Sequence, residues 1–235
     1  MNGAELDVFD RALAGEKCWV RAADGSRRRL PMARWLGLSG ADRRADIALT
    51  SCCDGPTVDL GCGPGRLVAA LLRRGVLALG VDISPTAVAI TRFRGAPALR
   101  RDLFGPLPGM GRWDYALLAD GNIGIGGDPR RLLARTAALL APNGVAVVEF
   151  GRPGTGSVTR QIRVESRTRV GSWFPWSTVS IDHAADLACG TGFQVLDTAE
   201  VNGRHIAWLR RHRVARGYLA AATARAERPR TGEFS

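Results

Sequence analysis

The sequence predicts a doubly wound α/β fold, a mostly parallel sheet with helices on both faces. Three observations carry that reading. From residue 56 onward, short apolar runs alternate with helix-spaced segments. Runs such as VLALGVD (76–82) and VAVVEF (145–150) are apolar on both faces, as parallel strands between two helix layers must be. A glycine-dense loop, Gly61-Cys62-Gly63-Pro64-Gly65, lies where the first such strand turns into a helix.

The first fifty residues precede this alternation. Leu6, Phe9 and Leu13 recur at helical spacing within 4–14. Residues 18–30 (CWVRAADGSRRRL) predict two short strands around Asp24-Gly25, Pro31 leads into a short helix, and 41–50 predicts another. Residues 1–50 are therefore read as a helical and hairpin lid segment. The main domain is read as 51–212. It opens with the strand after Pro56, followed by the glycine loop and a helix stopped by Gly75. The strand 76–82 comes next, then a helix with Ser84 at its N-cap and Pro85 at its first position. A short strand at 97–101 and a strand at 113–119 follow, the latter ending at Asp120. Asp128-Pro129 opens a helix over 130–140, and Asn143-Gly144 turns the chain into the strand 145–150. Residues 151–176 break the rhythm as an insert: a loop, then one or two strands in TRQIRVESRTRV. A helix is expected from Ser177 to Ala188. Two runs around Asn202-Gly203 predict an antiparallel hairpin at the sheet edge. Residues 213–235 form a basic C-terminal tail.

The chain has 235 residues, 46% apolar and 23% charged, which fits one globular domain with modest decoration. Collagen, a wholly disordered chain and a small disulfide scaffold are excluded by that composition. No apolar run approaches the ~20 residues that span a bilayer, and the first residues lack the apolar core of a secretory leader. Five cysteines, odd in number and without a C-x-x-C pair, read as free thiols of a reducing, cytoplasmic setting. His183, His205 and His212 are scattered, so no metal site is expected. The net charge is +11, with Lys17 the single lysine. Residues 204–235 alone hold eight arginines and two glutamates. That charge permits a nucleic-acid partner without requiring one.

The loop reads G-x-G-x-G, with Arg66 where a dinucleotide fingerprint needs its third glycine, so it suits a ligand with no pyrophosphate to cradle. Asp59 precedes its first glycine by two residues. Asp82, Asp102 and Asp120 end or follow the next three strands, at the sheet edge where α/β folds bind ligands.

VDLGCGPGR, with GVDIS downstream, resembles the class I S-adenosylmethionine-dependent methyltransferases over roughly 56–210. The resemblance implies a Rossmann-like, seven-stranded sheet, mostly parallel with an antiparallel C-terminal strand. It implies S-adenosyl-L-methionine as cofactor and S-adenosyl-L-homocysteine as product. Gly61, Gly63 and Gly65 would shape the methionyl pocket, and Asp59 would hold the loop and the amino group. Asp82 would bind the ribose, with Ile83 beside it. Asp102 and Leu103 would face the adenine, and Asp120 would sit near the methionyl end. DNA amino-methylases of this fold carry an Asp/Asn-Pro-Pro-aromatic tetrad after the fourth strand. Here that stretch is Asp120-Gly121-Asn122-Ile123, which favours a small-molecule acceptor. The alternatives are an RNA or DNA methyltransferase using the basic tail, and a cofactor-binding protein without turnover.

Asp120, His183 and His205 are the candidates for a base, with no catalytic residue assigned. Glu149 ends the fifth strand. Trp19, Asn122, Trp173 and Phe174 are the candidate acceptor contacts, since four of the six tryptophans (Trp19, Trp35, Trp173, Trp176) fall in the two lid segments. The insert arginines Arg163, Arg167 and Arg169 share one strand face. Acceptor, acceptor atom and oligomeric state are not specified by these residues.

Overall fold

The computed structural model describes residues 3–212, so the expected basic tail at 213–235 lies outside the described residues. The N-terminal part contributes α1 (Gly3–Leu13), β1 (Trp19–Ala22), β2 (Arg27–Arg29), α2 (Met32–Trp35) and α3 (Arg43–Thr50). The alternating part follows as β3 (Thr57–Leu60), α4 (Arg66–Arg73), β4 (Ala78–Asp82), α5 (Pro85–Phe93), β5 (Ala98–Arg100), β6 (Trp113–Leu118), α6 (Pro129–Leu139) and β7 (Leu140–Phe150). The chain then forms β8 (Ser157–Glu165), β9 (Phe174–Val179), α7 (Ala184–Cys189), β10 (Phe193–Val201) and β11 (Arg204–Arg211).

Seven strands form one sheet in the order β10-β11-β7-β6-β3-β4-β5. β7, β6, β3, β4 and β5 run parallel, and β11 is antiparallel to β7 and to β10. All four residues of β3 are buried, because helices cover both of its faces. The helices start where local chemistry directs. Ser84 Oγ accepts the Ala87 N–H at 2.9 Å and Asp128 Oδ1 accepts the Arg131 N–H at 2.9 Å, each ahead of a proline in the first turn. Such caps contribute about 1 kcal/mol apiece. Leu132, Leu133 and Leu187 of α6 and α7 pack on one face of the sheet. Leu49, Leu67 and Leu71 of α3 and α4 pack on the other.

The terminal hairpin is antiparallel and lies at the sheet edge, as expected. β10 is its outer strand, and β11 is inserted between it and β7. Burial explains the order. The first four residues of β11 are buried in succession, whereas β10 carries mostly exposed positions.

The two lid segments build a second, antiparallel sheet together, in the order β2-β1-β8-β9. The helix expected from Ser177 to Ala188 is corrected here. Residues 174–179 continue as a strand paired with β8, and the helix begins at Ala184. β-branched Thr178 and Val179 suit the pleat, and Ser180 Oγ ends the strand by accepting the Asp182 N–H at 3.3 Å. α1 packs Val8 and Ala12 against Val164 and Phe174 of this sheet. No described helix is long and apolar enough to cross a membrane.

Candidate active site

The glycine loop is held from three sides. Gly61 has φ +77°, and a Cβ there would come within 2.6 Å of the Asn122 side-chain nitrogen. Gly65 also has φ +77°, and a Cβ there would collide with the Thr91 side chain, 2.6 Å from its Oγ1. Gly63 (φ +52°) differs, because a Cβ would meet nothing within 4 Å. Its N–H donates to Asp82 Oδ2 at 2.8 Å, and the Ser84 N–H donates to Asp82 Oδ1 at 2.8 Å. Asp82, 9% exposed at the carboxyl end of β4, is thus locked to the loop. Burial raises its carboxyl above the usual range, and the backbone donors oppose that rise.

A charged network lies beneath the loop. Arg66 meets Asp46 at 3.0 Å and Asp120 at 2.6 Å. Arg204 meets Asp46 at 3.2 Å, Asp120 at 3.1 Å and Glu149 at 2.5 Å. Three carboxyl groups therefore share two guanidiniums. Burial opposes the Arg204 charge, but Glu149, Asp120 and Asp46 more than offset it and hold its pKa above the ordinary value. Asp120 sits at φ +55°, and its N–H donates to Glu149 Oε2 at 2.5 Å. Asn122 follows, and its side-chain amide donates to Leu60 O at 3.0 Å and Gly61 O at 2.8 Å. Asp59 lies fully buried nearby. Burial pushes its carboxyl up to about 7, with Arg66 opposing and Asp120, Asp82 and Asp46 adding to the rise.

Above these groups is a cavity of about 700 Å³, within the range of small-ligand sites. Its floor is the carboxyl end of the large sheet: Gly61, Gly63, Asp82, Asp120 and Glu149. Its roof is the small sheet: Val20, Ile162, Val164, Phe174 and Trp176. Phe9 and Trp35, with ring centroids 5.6 Å apart, close one end.

The expected site residues separate into two groups. Gly61, Gly63, Asp82, Ile83, Asp102, Leu103, Asp120, Asn122, Glu149 and Phe174 all line the cavity. Asp59 and Gly65 lie behind the lining, as supports of the loop. Asp102 is exposed at the rim, where Oδ1 accepts the Phe104 N–H at 2.9 Å. Trp19 and Trp173 do not line it, contrary to the expectation. The period of two puts Trp19 on the outer face of the small sheet, under the Arg27 guanidinium at 4.1 Å. Trp173 precedes β9, 43% exposed, stacked on Arg163 at 4.6 Å. Arg163 also lies 3.5 Å from Glu165, while Arg167 and Arg169 fall beyond β8 rather than on one strand face with it. His183 is exposed in a turn after β9, and His205 is buried within β11. Neither lines the cavity. Among the described residues no cluster of His, Cys, Asp or Glu is fit to hold a metal ion.

Sequence reasoning missed Arg66 and Arg204 as the organisers of the floor. Arg66 carried a signal, since it directly follows the glycine loop at the start of a helix. Arg204 carried none, because its partners lie 55 to 158 residues away.

Residues 58–146 match the model of a family described as a methyltransferase domain. The chain is 34% identical to the release factor glutamine methyltransferase of Rhodospirillum rubrum over an alignment of 207 residues, covering 64% of this chain and 63% of that protein. It is 30% identical to the magnesium-protoporphyrin O-methyltransferase of Rhodobacter capsulatus, covering 49% of this chain and 54% of that one. The chain thus spans less than two thirds of these curated relatives. Among solved structures, a methyltransferase of Bacteroides fragilis in complex with S-adenosyl-L-homocysteine superposes with a TM-score of 0.71 at 20% identity, covering 91% of this chain and 98% of that one. The 1,6-didemethyltoxoflavin-N1-methyltransferase of Burkholderia thailandensis superposes at 0.58 and 18% identity, covering 91% and 92%. Residues 58–146 thus carry the signature of a methyltransferase domain, and the described residues share the fold of these solved methyltransferases.

Proposed function

We propose that the chain transfers the methyl group of S-adenosyl-L-methionine to a small-molecule acceptor by in-line displacement. The observation that carries the reading is the floor of the cavity. There Gly63 opens toward empty space, and the neighbouring strand presents Asp82, fixed by two backbone donors. That cradle fits the cofactor. Asp82 keeps lone pairs free for ribose hydroxyls, Ile83, Asp102 and Leu103 flank the adenine, and Gly61 and Gly63 admit the methionyl part. Gly65 and Asp59 support the loop from behind. The acids of the floor outnumber its guanidiniums, which suits the positive sulfonium and ammonium groups.

When bound, the cofactor supplies an electrophilic methyl on sulfur. The chain's own residues position and exclude. The roof of Val20, Ile162, Val164, Phe174 and Trp176 keeps water from the reacting atoms, and a dry site favours a transition state in which charge is being neutralised. Positioning of this kind supplies several of the ~7–11 kcal/mol available to well-oriented reactions. Both Asp120 oxygens are engaged by Arg66 and Arg204. Asp120 is therefore read as the anchor of the 120–127 loop rather than as a base, and no general base is assigned.

The roofed cavity supports a small acceptor. One relative is named for magnesium-protoporphyrin, and one solved structure holds 1,6-didemethyltoxoflavin. The release factor relative, by its name, modifies a protein, and an acceptor of that size would need the roof to open. Calorimetric titration with S-adenosyl-L-homocysteine tests the reading, with NAD as control. Wild type is expected to bind it and ignore NAD, and Asp82→Ala to bind at least tenfold more weakly. No binding by wild type, with or without candidate acceptors, overturns the reading. Binding without turnover of labelled methyl on any acceptor leaves a non-catalytic binding protein instead.

A further inference from the structure

The small sheet sorts its arginines by face. On the outer face, Arg21, Arg27 and Arg163 converge on Glu165 at 3.0, 2.8 and 3.5 Å. On the inner face, cross-strand register puts Arg28 opposite Val20, and Val20 opposite Val164. All three line the cavity. Three lid arginines line the cavity; among the described residues Arg28 and its neighbour Arg29 have no carboxylate partner, whereas Arg34 meets Asp42 at 2.9 Å. The roof therefore presents an apolar, aromatic surface ending in the β2 arginines Arg28 and Arg29, of which Arg28 shares the inner face with Val20 and Val164.

The strand order fixes where that charge lies. β9 stands beside the loop after β6, joined to it by the Ile125–Trp176 bridge, so Trp176 marks the end nearest the cofactor floor. β2 is at the far edge, three strands away. Three interstrand spacings amount to about 14 Å across the sheet, and Trp176, opposite Arg160, stands four residues or about 13 Å further along it than Arg28, which is level with Val164.

We propose, resting on the methyltransferase reading, that the acceptor is an elongated, flat, largely apolar acid. Its anionic group is held by Arg28, and its methyl-accepting end lies beneath Trp176, about 19 Å away between backbones, a span that the two long side chains shorten. An aromatic or fused-ring body with a carboxylate, sulfonate or phosphate group has that shape and charge. Guanidinium recognition of such an anion is charge-assisted and directional. The roof offers a planar body Phe174 and Trp176, whose ring centroids lie 6.4 Å apart.

The test uses two fluorescent probes on the full chain saturated with S-adenosyl-L-homocysteine: 8-anilinonaphthalene-1-sulfonate and its uncharged counterpart N-phenyl-1-naphthylamine. Wild type is expected to bind the sulfonate at one saturable site and to prefer it over the neutral probe. Arg28→Gln should reduce that preference at least fivefold. Arg27→Gln, one residue away on the outer face, should leave it within twofold. Trp176→Ala should weaken both probes alike. Absence of a saturable site, an unchanged preference in Arg28→Gln, or an equal change in Arg27→Gln overturns the proposal. The homocysteine cofactor is titrated separately into each preparation. Loss of that binding in wild type sinks the methyltransferase reading, while intact binding without anion preference sinks only the acceptor assignment.

Discussion

Replacing Arg204 by Gln tests the reasoning about the floor most directly. The side chain is 3% exposed, and its guanidinium makes four contacts: Nε to Glu149 Oε1 at 2.8 Å, Nη2 to Glu149 Oε2 at 2.5 Å and Asp120 Oδ1 at 3.1 Å, and Nη1 to Asp46 Oδ1 at 3.2 Å. Arg66 would still face Asp46 and Asp120, but Glu149 would keep no cationic partner from this network. Removing one member of a buried pair costs about 3–5 kcal/mol, mostly from the charge left behind. The melting temperature should then fall by roughly 2–4 °C per kcal/mol for a chain of this size, or roughly 6–20 °C in all. Urea unfolding followed by tryptophan fluorescence at pH 7.5 gives the free energy itself. Glu149→Gln in the same background should recover part of the loss, giving a coupling of about 2 kcal/mol or more in a double-mutant cycle. Arg204→Lys should recover less than wild type, since one ammonium cannot reproduce the fork on Glu149. A loss below about 1 kcal/mol, the value typical of exposed pairs, or strict additivity of the two changes, would refute the account of a buried, interdependent floor.

Two further predictions concern the loop. Asp59 is pushed up to about 7 by burial, against about 3.9 in an unfolded chain. Its native state therefore holds a proton that the unfolded chain releases, and wild-type stability falls as pH rises from about 4 to 7. Asp59→Asn should match wild type near pH 4 and exceed it at pH 8, by a ceiling of about 4 kcal/mol for three pKa units. Urea titrations at the two pH values check this, and an equal difference at both contradicts it. Gly65→Ala should cost about 2–4 kcal/mol, from a left-handed φ and a clash with Thr91. Gly63→Ala should cost no more than about 1–2 kcal/mol, because its Cβ meets nothing, yet weaken S-adenosyl-L-homocysteine at least tenfold by filling the cradle. Thermal melts beside calorimetry separate the two, and an equal stability loss with unchanged affinity in Gly63→Ala would contradict the distinction.

The floor was legible in the sequence because its parts are local. Each acid ends or follows a strand whose buried run is visible on its own, and parallel strands with helical crossovers bring successive carboxyl ends to one edge. Asp82 and Asp120 could be placed by counting along such units. The Gly63 and Ser84 N–H groups reach Asp82 across no more than 19 residues. The helix expected at 177–188 failed for a non-local reason. STVSIDHAADLA satisfies a helical pattern in its second half, and only pairing with β8 decides that its first half is strand.

The roof was illegible for the same reason, on a larger scale. β1 and β8 lie some 140 residues apart and meet only because both lid segments return to the same side of the large sheet. Side-chain direction in a strand depends on parity alone. A shift of one residue in that pairing would turn Trp19, Arg21 and Arg27 inward relative to β8 and expose Val20. The sequence names the aromatic and basic residues of the lid without saying which of them face the cavity. What settles the parity is burial. Val164, Phe174 and the α1 residues Val8 and Ala12 form one apolar cluster that only this register closes. Glu165 on the other face then neutralises Arg21, Arg27 and Arg163 together. Arg28 is left on the inner face because apolar packing chose the register. That gives the cavity its charge asymmetry, acids at the floor beneath the glycine loop and the β2 arginines Arg28 and Arg29, unpaired among the described residues, at the far edge of the roof. A cationic cofactor and an anionic acceptor would enter such a cavity from opposite poles, and the field between them orients both.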